Sequence, residues 1–156
     1  MGLETKTNLT DTTIEKLQDL IRMNIDSHQG FLEAAKAVED DEVASLFRRL
    51  ATDRERFAEE LKTYVEWNEE TAPNEQSFAA KVHQTWLNLR AKLNGGDTHV
   101  VLCEAEYGED QIKEAYEDAL KDNPGSAMSE ILHSQYSVVK AGHDKVRDLR
   151  DAWAKK

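Results

Sequence analysis

Apolar residues recur at alternating three- and four-residue steps along most of the chain. In the first segment, the inward positions of this pattern are Ile14, Leu17, Ile21, Asn24, His28, Phe31, Ala35 and Val38. Such a repeat places its members on one face of an α-helix, where they pack against a partner. Thr12 and Glu15 have the spacing of a capping box, which marks a helix start. The pattern therefore predicts a helix over residues 10–39.

Four further segments show the same periodicity and are separated by turn-forming or acidic residues. The breaks lie at residues 39–42, 71–74, 94–97 and 122–126. They predict further helices over residues 42–71, 75–94, 97–122 and 126–155. No segment alternates with a period of two, so the sequence predicts no strand.

The lengths of the turns predict the architecture. Short turns between the first and second segments, and between the fourth and fifth, indicate two antiparallel helical hairpins. At ~1.5 Å per residue, a helix over residues 75–94 spans ~30 Å and returns the chain from one hairpin to the other. We therefore expect an all-α fold, an antiparallel four-helix bundle with an additional crossover helix between the second and third bundle helices. The 156 residues show no linker, which predicts a single domain over residues 1–156.

Composition and charge narrow the classes of partner. The formal net charge of -11 would repel a phosphate backbone, so no nucleic acid is expected as a partner. No apolar run approaches the ~20 residues that span a bilayer, and the N-terminus has no apolar signal core, so no membrane association is expected. Cys103 is the single cysteine and needs no oxidising compartment. The expected location is the cytoplasm.

Polar residues occupy several inward positions that an apolar core accepts only when they have partners. They are His28, Arg54, Glu109 and Gln135, with Asn24, Glu106 and His143 on neighbouring turns. Counted along the helices from the first turn, His28 and Arg54 lie at one height, and Glu109 joins them if its helix begins at residue 97. Pairing across the turn at 122–126 sets Val138 opposite Glu109, with Gln135 one turn away. The sequence thus predicts one buried polar layer to which four helices contribute.

The structural interpretation of this layer is a buried ion pair between Arg54 and Glu109. Its spare hydrogen-bonding groups would be met by His28, Gln135 and water. A pair of this kind fixes helix register more than it stabilises the fold. The sequence holds no glycine-rich phosphate loop and no CxxC motif, and no catalytic residue is expected.

The alternative interpretation is a metal site, because bundles with inward carboxylates and histidines hold di-iron and di-manganese centres. The one Glu-x-x-His motif, Glu130 with His133, falls on the polar face of its helix. Arg54 lies at a height where a further carboxylate would be needed and would repel a metal ion. The candidates for a degenerate iron or manganese site are Glu106, Glu109, His143 and Glu60. The expectation is no cofactor, with iron or manganese as the alternative.

Several short motifs follow one another along the chain. They are Gly30-Phe31 with Ala34-Ala35, Arg54-x-x-Phe57-Ala58-x-Glu60-Leu61, His83-x-x-Trp86, Glu104-x-Glu106-x-Gly108-Glu109, Tyr116-x-x-Ala119-Leu120 and His143-Asp144-x-Val146-Arg147-x-Leu149-Arg150-Asp151. In this order they resemble an uncharacterised bacterial family of ferritin-like four-helix-bundle proteins, a domain of unknown function. The resemblance implies a ferritin-like fold and brings no established activity. It also implies that polar residues recur in the family at Arg54, Glu106, Glu109 and His143.

Three interpretations of function are left open by the sequence. The first is a non-enzymatic bacterial helical bundle, stress-related and self-associating as a homo-oligomer, whose polar layer is structural. The second is a ferritin-like protein that binds iron or manganese at a degenerate carboxylate and histidine site. The third is an adaptor that binds a protein partner through the apolar stripe of residues 75–94.

Overall fold

The computed structural model describes residues 4–70, 97–122 and 124–155. These residues form four α-helices, Asp11–Ala37 (α1), Asp41–Trp67 (α2), Thr98–Asp122 (α3) and Ser129–Ala154 (α4). Across the described ranges, the only strand-like pairing is a single antiparallel bridge between Thr5 and Asn8. The predicted all-α class is confirmed. The predicted crossover helix over 75–94 lies outside the described residues, and the single domain over 1–156 stays a prediction.

The start of α1 is set by a threonine side chain. Thr10 is the capping residue, and its hydroxyl accepts a hydrogen bond from the Thr13 amide at 3.2 Å. This bond satisfies an amide that has no partner within the helix. The predicted capping box of Thr12 and Glu15 is wrong by two residues, because Thr12 already lies in the first turn of α1.

Aspartates perform the same role at the next two helix starts. The Asp40 carboxylate accepts from the Val43 amide at 2.9 Å. The Asp97 carboxylate accepts from the His99 amide at 2.9 Å. A carboxylate at this position also interacts favourably with the positive end of the helix dipole. The predicted start of the third bundle helix at residue 97 agrees with this cap.

Each helix packs chiefly against two neighbours. α1 and α4 each contact both α2 and α3, so α2 and α3 face each other across the bundle. The ends of α1 and α4 share one apolar cluster with the starts of α2 and α3. Thus α1 and α4 run in one direction and α2 and α3 in the other. α2 therefore ends at the opposite end of the bundle from the start of α3.

The core consists of two apolar clusters separated by a polar level at mid-height. The cluster at the end where α2 and α3 begin includes Phe31, Phe47, Leu102 and Val146. The cluster at the opposite end includes Leu17, Leu61, Ile112 and Val139. Between them lie Arg54 and Glu109, both fully buried. Burial of apolar area is the main stabilising term, at about 25 cal/mol per Å², and the polar level interrupts it.

All four helices are amphipathic, with buried apolar faces and charged outer faces. Within the described ranges, no helix contains an apolar stretch of membrane-spanning length. The large apolar side chains that stay exposed there are Trp67, Val100 and Tyr107. Val100 and Tyr107 are seven residues apart and so lie on one face of α3.

The later start of α4 changes which of its residues reach the polar level. The helix begins at Ser129, three residues after the predicted start. As a result, Gly142 lies beside Glu109, where the sequence predicts Val138. Gly142 and Glu109 are the same number of residues from their shared turn, so the shift follows from the helix start. Gln135 is about two turns away from this level rather than one.

The buried face of α4 departs from the helical spacing at two positions, and at each the buried residue is one place later along the chain. Leu132 and Val139 are buried, whereas Ile131 and Val138, which the three- and four-residue steps place inward, are half-buried. Both residues are apolar at each position, so periodicity alone does not choose between them. The face is also wider than predicted, because His143 is buried where α4 meets α3.

The N-terminal segment connects three parts of the bundle. Glu4 accepts hydrogen bonds from the Thr10 amide at 2.8 Å, the Ala127 amide at 2.9 Å and the Ser126 hydroxyl at 2.8 Å. Partial burial acts to raise the pKa of Glu4, but these hydrogen bonds, led by that of Thr10, outweigh it and lower the pKa to about 2. The ionised carboxylate therefore links the start of α1 to the turn before α4.

Replacing Glu4 with glutamine tests this link. The pKa of Glu4 is lower in the folded chain, so its contribution is present above the unfolded pKa of 4.5 and is lost as the pH falls toward about 2. Solvent screening reduces that contribution, and we expect Glu4→Gln to lower the free energy of unfolding at pH 7 by about 1–2 kcal/mol. Urea unfolding at pH 7 and pH 2.5 measures it, with Glu15→Gln as the charge-matched control. An equal loss at both pH values would contradict the assignment.

Candidate functional site

Three separate groups of polar residues lie in and beside the core of the described ranges. The central pair is Arg54 with Glu109. The tyrosine network joins Asn24, Tyr116, Gln135 and Glu60. The outer cluster, on α3 and α4, is Glu106, Asp110 and His143. The single layer predicted from the sequence is thus divided, and each group has its own neighbours.

The central pair crosses the bundle from α2 to α3. Both side chains are fully buried, and Arg54 Nη2 lies 2.6 Å from each carboxylate oxygen of Glu109. Burial raises the pKa of Glu109, while the charge of Arg54 and its hydrogen bonds act in the opposite direction. Removal of either residue would leave a lone charge in a medium of low dielectric. The two side chains therefore stabilise the fold only together.

Close packing surrounds the central pair on its other sides. The guanidinium carbon of Arg54 lies 5.9 Å from the centre of the Phe31 ring, within the range of a cation–π contact. A methyl group added at Gly142 would lie 2.7 Å from Leu50 Cδ2 and 3.3 Å from Glu109 Oε2. Glycine inside a helix costs about 1 kcal/mol relative to alanine. The close approach of α4 to the central pair therefore explains why a glycine lies at this position inside the helix.

The prediction that His28 and Gln135 complete the hydrogen bonding of the central pair is wrong. His28 is half-buried, and its Nδ1 lies 2.8 Å from the Ala51 carbonyl oxygen. Its Nε2 faces outward and lies 3.9 Å from Glu55. Among the described residues, Arg54 Nε and Nη1 have no hydrogen-bond partner. His28 is therefore an edge residue between α1 and α2.

The tyrosine network takes one residue from each helix. The Tyr116 hydroxyl donates to Gln135 Oε1 at 2.6 Å and accepts from Asn24 Nδ2 at 2.9 Å. Gln135 Nε2 donates to Glu60 Oε1 at 2.7 Å, and Glu60 is exposed. Burial raises the pKa of Tyr116, so the hydroxyl keeps its proton and acts as a donor. Buried hydrogen bonds of this kind specify how neighbouring helices align, although Asn24 Oδ1 has no hydrogen-bond partner among the described residues.

The outer cluster brings three metal-ligating side chains together where α3 meets α4. Glu106 and Asp110 are one turn apart on α3, and His143 faces them from α4. His143 Nε2 lies 2.5 Å from Asp110 Oδ1 and 3.9 Å from Glu106 Oε1. The His143 side chain is 9% exposed, whereas that of Asp110 is 44% exposed. The cluster thus has an inner side in the bundle and an outer side open to ions in solution.

The second ring nitrogen of His143 is held by a further carboxylate. His143 Nδ1 lies 3.1 Å from Asp144 Oδ1, and this hydrogen bond holds the pKa of Asp144 below its usual value. If a metal ion displaces the proton between Nε2 and Asp110 while Nδ1 keeps its own toward Asp144, the Nε2 lone pair faces the outer cluster. Histidine ligands of metal ions commonly have such a carboxylate on the other nitrogen, because it fixes the ring and its tautomer.

An arginine also reaches the outer cluster. Arg150 Nη1 forms an ion pair with Glu106 Oε2. The same guanidinium donates to Asp151 Oδ1 from Nε at 3.1 Å and from Nη2 at 2.9 Å. Glu106 therefore has one oxygen on Arg150 and the other toward His143.

Two of the four predicted metal ligands lie in this cluster and two do not. Glu106 and His143 are brought together. Glu109 has both oxygens on Arg54, and Glu60 belongs to the tyrosine network. The structure places them in separate groups because their helices present them at different heights and on different faces.

Sequence reasoning missed Asp110 as a member of the cluster. It lies on the flank of α3, outside the apolar seam whose polar members define the predicted layer. The available signal was its spacing, four residues after Glu106, which places both carboxylates on one face of a helix. The hydroxyl of Tyr116 was missed for a related reason, because the apolar periodicity counts tyrosine as a core residue.

The chain belongs to a family described only as Domain of unknown function (DUF2383), whose family profile matches residues 12–122. The matched range contains α2, α3 and all of α1 except its first residue, and with them the central pair and two residues of the outer cluster, but not His143. No curated protein and no solved structure matches the chain. The predicted membership of a family without known function is confirmed.

Replacing Arg54 with alanine tests the central pair. The change leaves Glu109 buried without a counter-charge, so we expect a loss of about 3–5 kcal/mol in the free energy of unfolding. The double replacement Arg54→Met with Glu109→Leu removes both charges and should recover most of that loss. Chemical denaturation measures both, with Arg48→Ala on the exposed face of α2 as the control. Equal stability of Arg54→Ala and the parent would show that this pair is not buried as described.

Proposed function

We propose that this member of the DUF2383 family binds a single divalent metal ion, Mn²⁺ or Fe²⁺, at the outer cluster. The observation that carries the proposal is the convergence of Glu106, Asp110 and His143. One ligand atom from each residue lies within 4.8 Å of the other two. A metal ion would replace the proton that joins His143 Nε2 to Asp110, because both bind to the same lone pairs.

The donor set favours first-row divalent ions with mixed oxygen and nitrogen preference. Two carboxylates suit Mn²⁺, and the imidazole suits Fe²⁺ and its neighbours in the series. Asp144 supports the proposal, since it fixes the imidazole with Nε2 toward the carboxylates. The exposed side of Asp110 leaves room for water molecules to complete the coordination.

A binding role, rather than a catalytic one, is the interpretation we favour. The cluster lies at the outer junction of α3 and α4. Three surface grooves of the described ranges lie between α1 and α3, beside Leu20 and Ala119, and between α2 and α4, beside Leu46 and beside Gly142, and no side chain of the outer cluster lines them. A catalytic site is typically a cleft that surrounds its substrate. We assign the central pair a structural role, because both carboxylate oxygens of Glu109 accept hydrogen bonds from Arg54.

Ferritin-like ancestry and self-association belong to the same proposal. Support for the first comes from four packed helices with a charged level at mid-height, the place where bundles of that kind hold inward carboxylates. Support for a homo-oligomer comes from Val100 and Tyr107, which expose apolar area on one face of α3. A link to stress stays a prediction.

The proposal is tested by measuring bound Mn²⁺ on the full chain, with anaerobic Fe²⁺ in parallel. We expect about one ion per chain by elemental analysis after gel filtration. At about 100 times the Kd, binding adds about 2.7 kcal/mol to the free energy of unfolding, or roughly 5–10 °C in Tm for a domain of this size.

Two substitutions should remove the effect. His143→Ala and Asp110→Asn each delete one ligand, and we expect both to abolish the rise in Tm and the bound metal. Asp118→Asn makes the same chemical change two turns further along α3 and should leave binding intact. Less than about 0.1 ion per chain in the parent, or equal binding in Asp110→Asn, would contradict the proposal.

A further inference from the structure

Arg150 already supplies a positive charge to the outer cluster. Its Nη1 is paired with Glu106 Oε2, on a glutamate whose side chain is only 11% exposed. The Arg150 side chain is 31% exposed, so it covers the inner carboxylate from the solvent side. An ion that binds Glu106 from solution therefore meets this guanidinium.

Charge balance makes the two cations alternatives. Glu106 and Asp110 together carry two negative charges when ionised, and a divalent ion neutralises both. With the ion in place, the guanidinium is surplus positive charge a few ångströms away and is repelled. Without the ion, Arg150 is the partner that keeps the largely buried Glu106 carboxylate paired.

Arg150 has a second anion to which it can withdraw. Its Nε and Nη2 both donate to Asp151 Oδ1, and Asp151 belongs to the exposed side of α4. Release from Glu106 therefore breaks one of two ion pairs and leaves the guanidinium paired in solvent. The rearrangement needs only rotations of a long side chain and no movement of the helix.

We infer that Arg150 is an internal competitor for the metal ion: the guanidinium and a divalent cation bind Glu106 in mutually exclusive states. The inference rests on the proposed function and adds its regulation. Arg150 sets a threshold concentration below which Glu106 remains paired with α4, and metal binding releases the arginine from α3. At low metal concentration Arg150 connects α3 to α4, and at high concentration the metal ion connects them.

The test compares Mn²⁺ affinity, by isothermal titration calorimetry, in the full-length parent, Arg150→Gln, Arg150→Lys and Arg48→Gln. Arg150→Gln removes the competing charge, and we expect about tenfold tighter binding than in the parent. Arg150→Lys keeps the charge and should bind within about threefold of the parent. Arg48→Gln makes the same change in net charge on the outer face of α2 and should match the parent. Circular dichroism checks that each variant is folded.

The outcomes separate the inference from the proposed function. If the parent binds Mn²⁺ through His143 but Arg150→Gln binds no more tightly than Arg48→Gln, competition is wrong and the metal site stands. If neither the parent nor folded Arg150→Gln binds, both are wrong, because removal of Arg150 should reveal even a weak site. If Arg150→Lys binds as tightly as Arg150→Gln, the charge of the side chain is not the competing element.

Discussion

The ion pair between Arg54 and Glu109 is the constraint around which the other parts of the bundle are arranged. It joins the two helices that face each other across the bundle and separates the core into two apolar clusters. A buried pair of this kind adds little net stability, but it penalises any alignment in which the charges do not meet. Gly142 is fitted to it, since any larger residue would meet Leu50 or Glu109.

The same pair decides where metal chemistry can occur in this chain. Both oxygens of Glu109 are taken by a guanidinium that does not lose its proton, so the interior position suited to a di-metal centre carries its own cation. Carboxylates that remain open to an ion lie further out, on the face of α3 that meets His143. There the resident cation is Arg150, which is partly exposed and has Asp151 as a second partner. An inner fixed pair and an outer exchangeable pair thus lie beside each other, with their glutamates one turn apart on α3.

Much of the fold follows from local sequence, and the errors have local causes. The seams of α1 to α3 were largely predictable because apolar residues recur there at helical spacing, and Arg54 and Glu109 stand out as charges within them. The buried face of α4 was not fully predictable. Ile131 and Leu132 are both apolar, as are Val138 and Val139, and either member of each pair fits the helical spacing. Its start at Ser129 depends on the geometry of a turn rather than on periodicity. Asp110 was missed because it lies on the flank of its helix, and only the packing of α3 against α4 brings His143 beside it.

The central claim is that a metal ion binds outside the fixed pair rather than at it. Anomalous diffraction from crystals grown with Mn²⁺ tests this most directly. The account predicts one anomalous peak at ~2.1 Å from carboxylate oxygens of Glu106 and Asp110 and from His143 Nε2. In the same crystals the Arg150 guanidinium should be paired with Asp151 alone. A peak beside the Glu109 carboxylate, or Arg150 still paired with Glu106 in the presence of the ion, would contradict it.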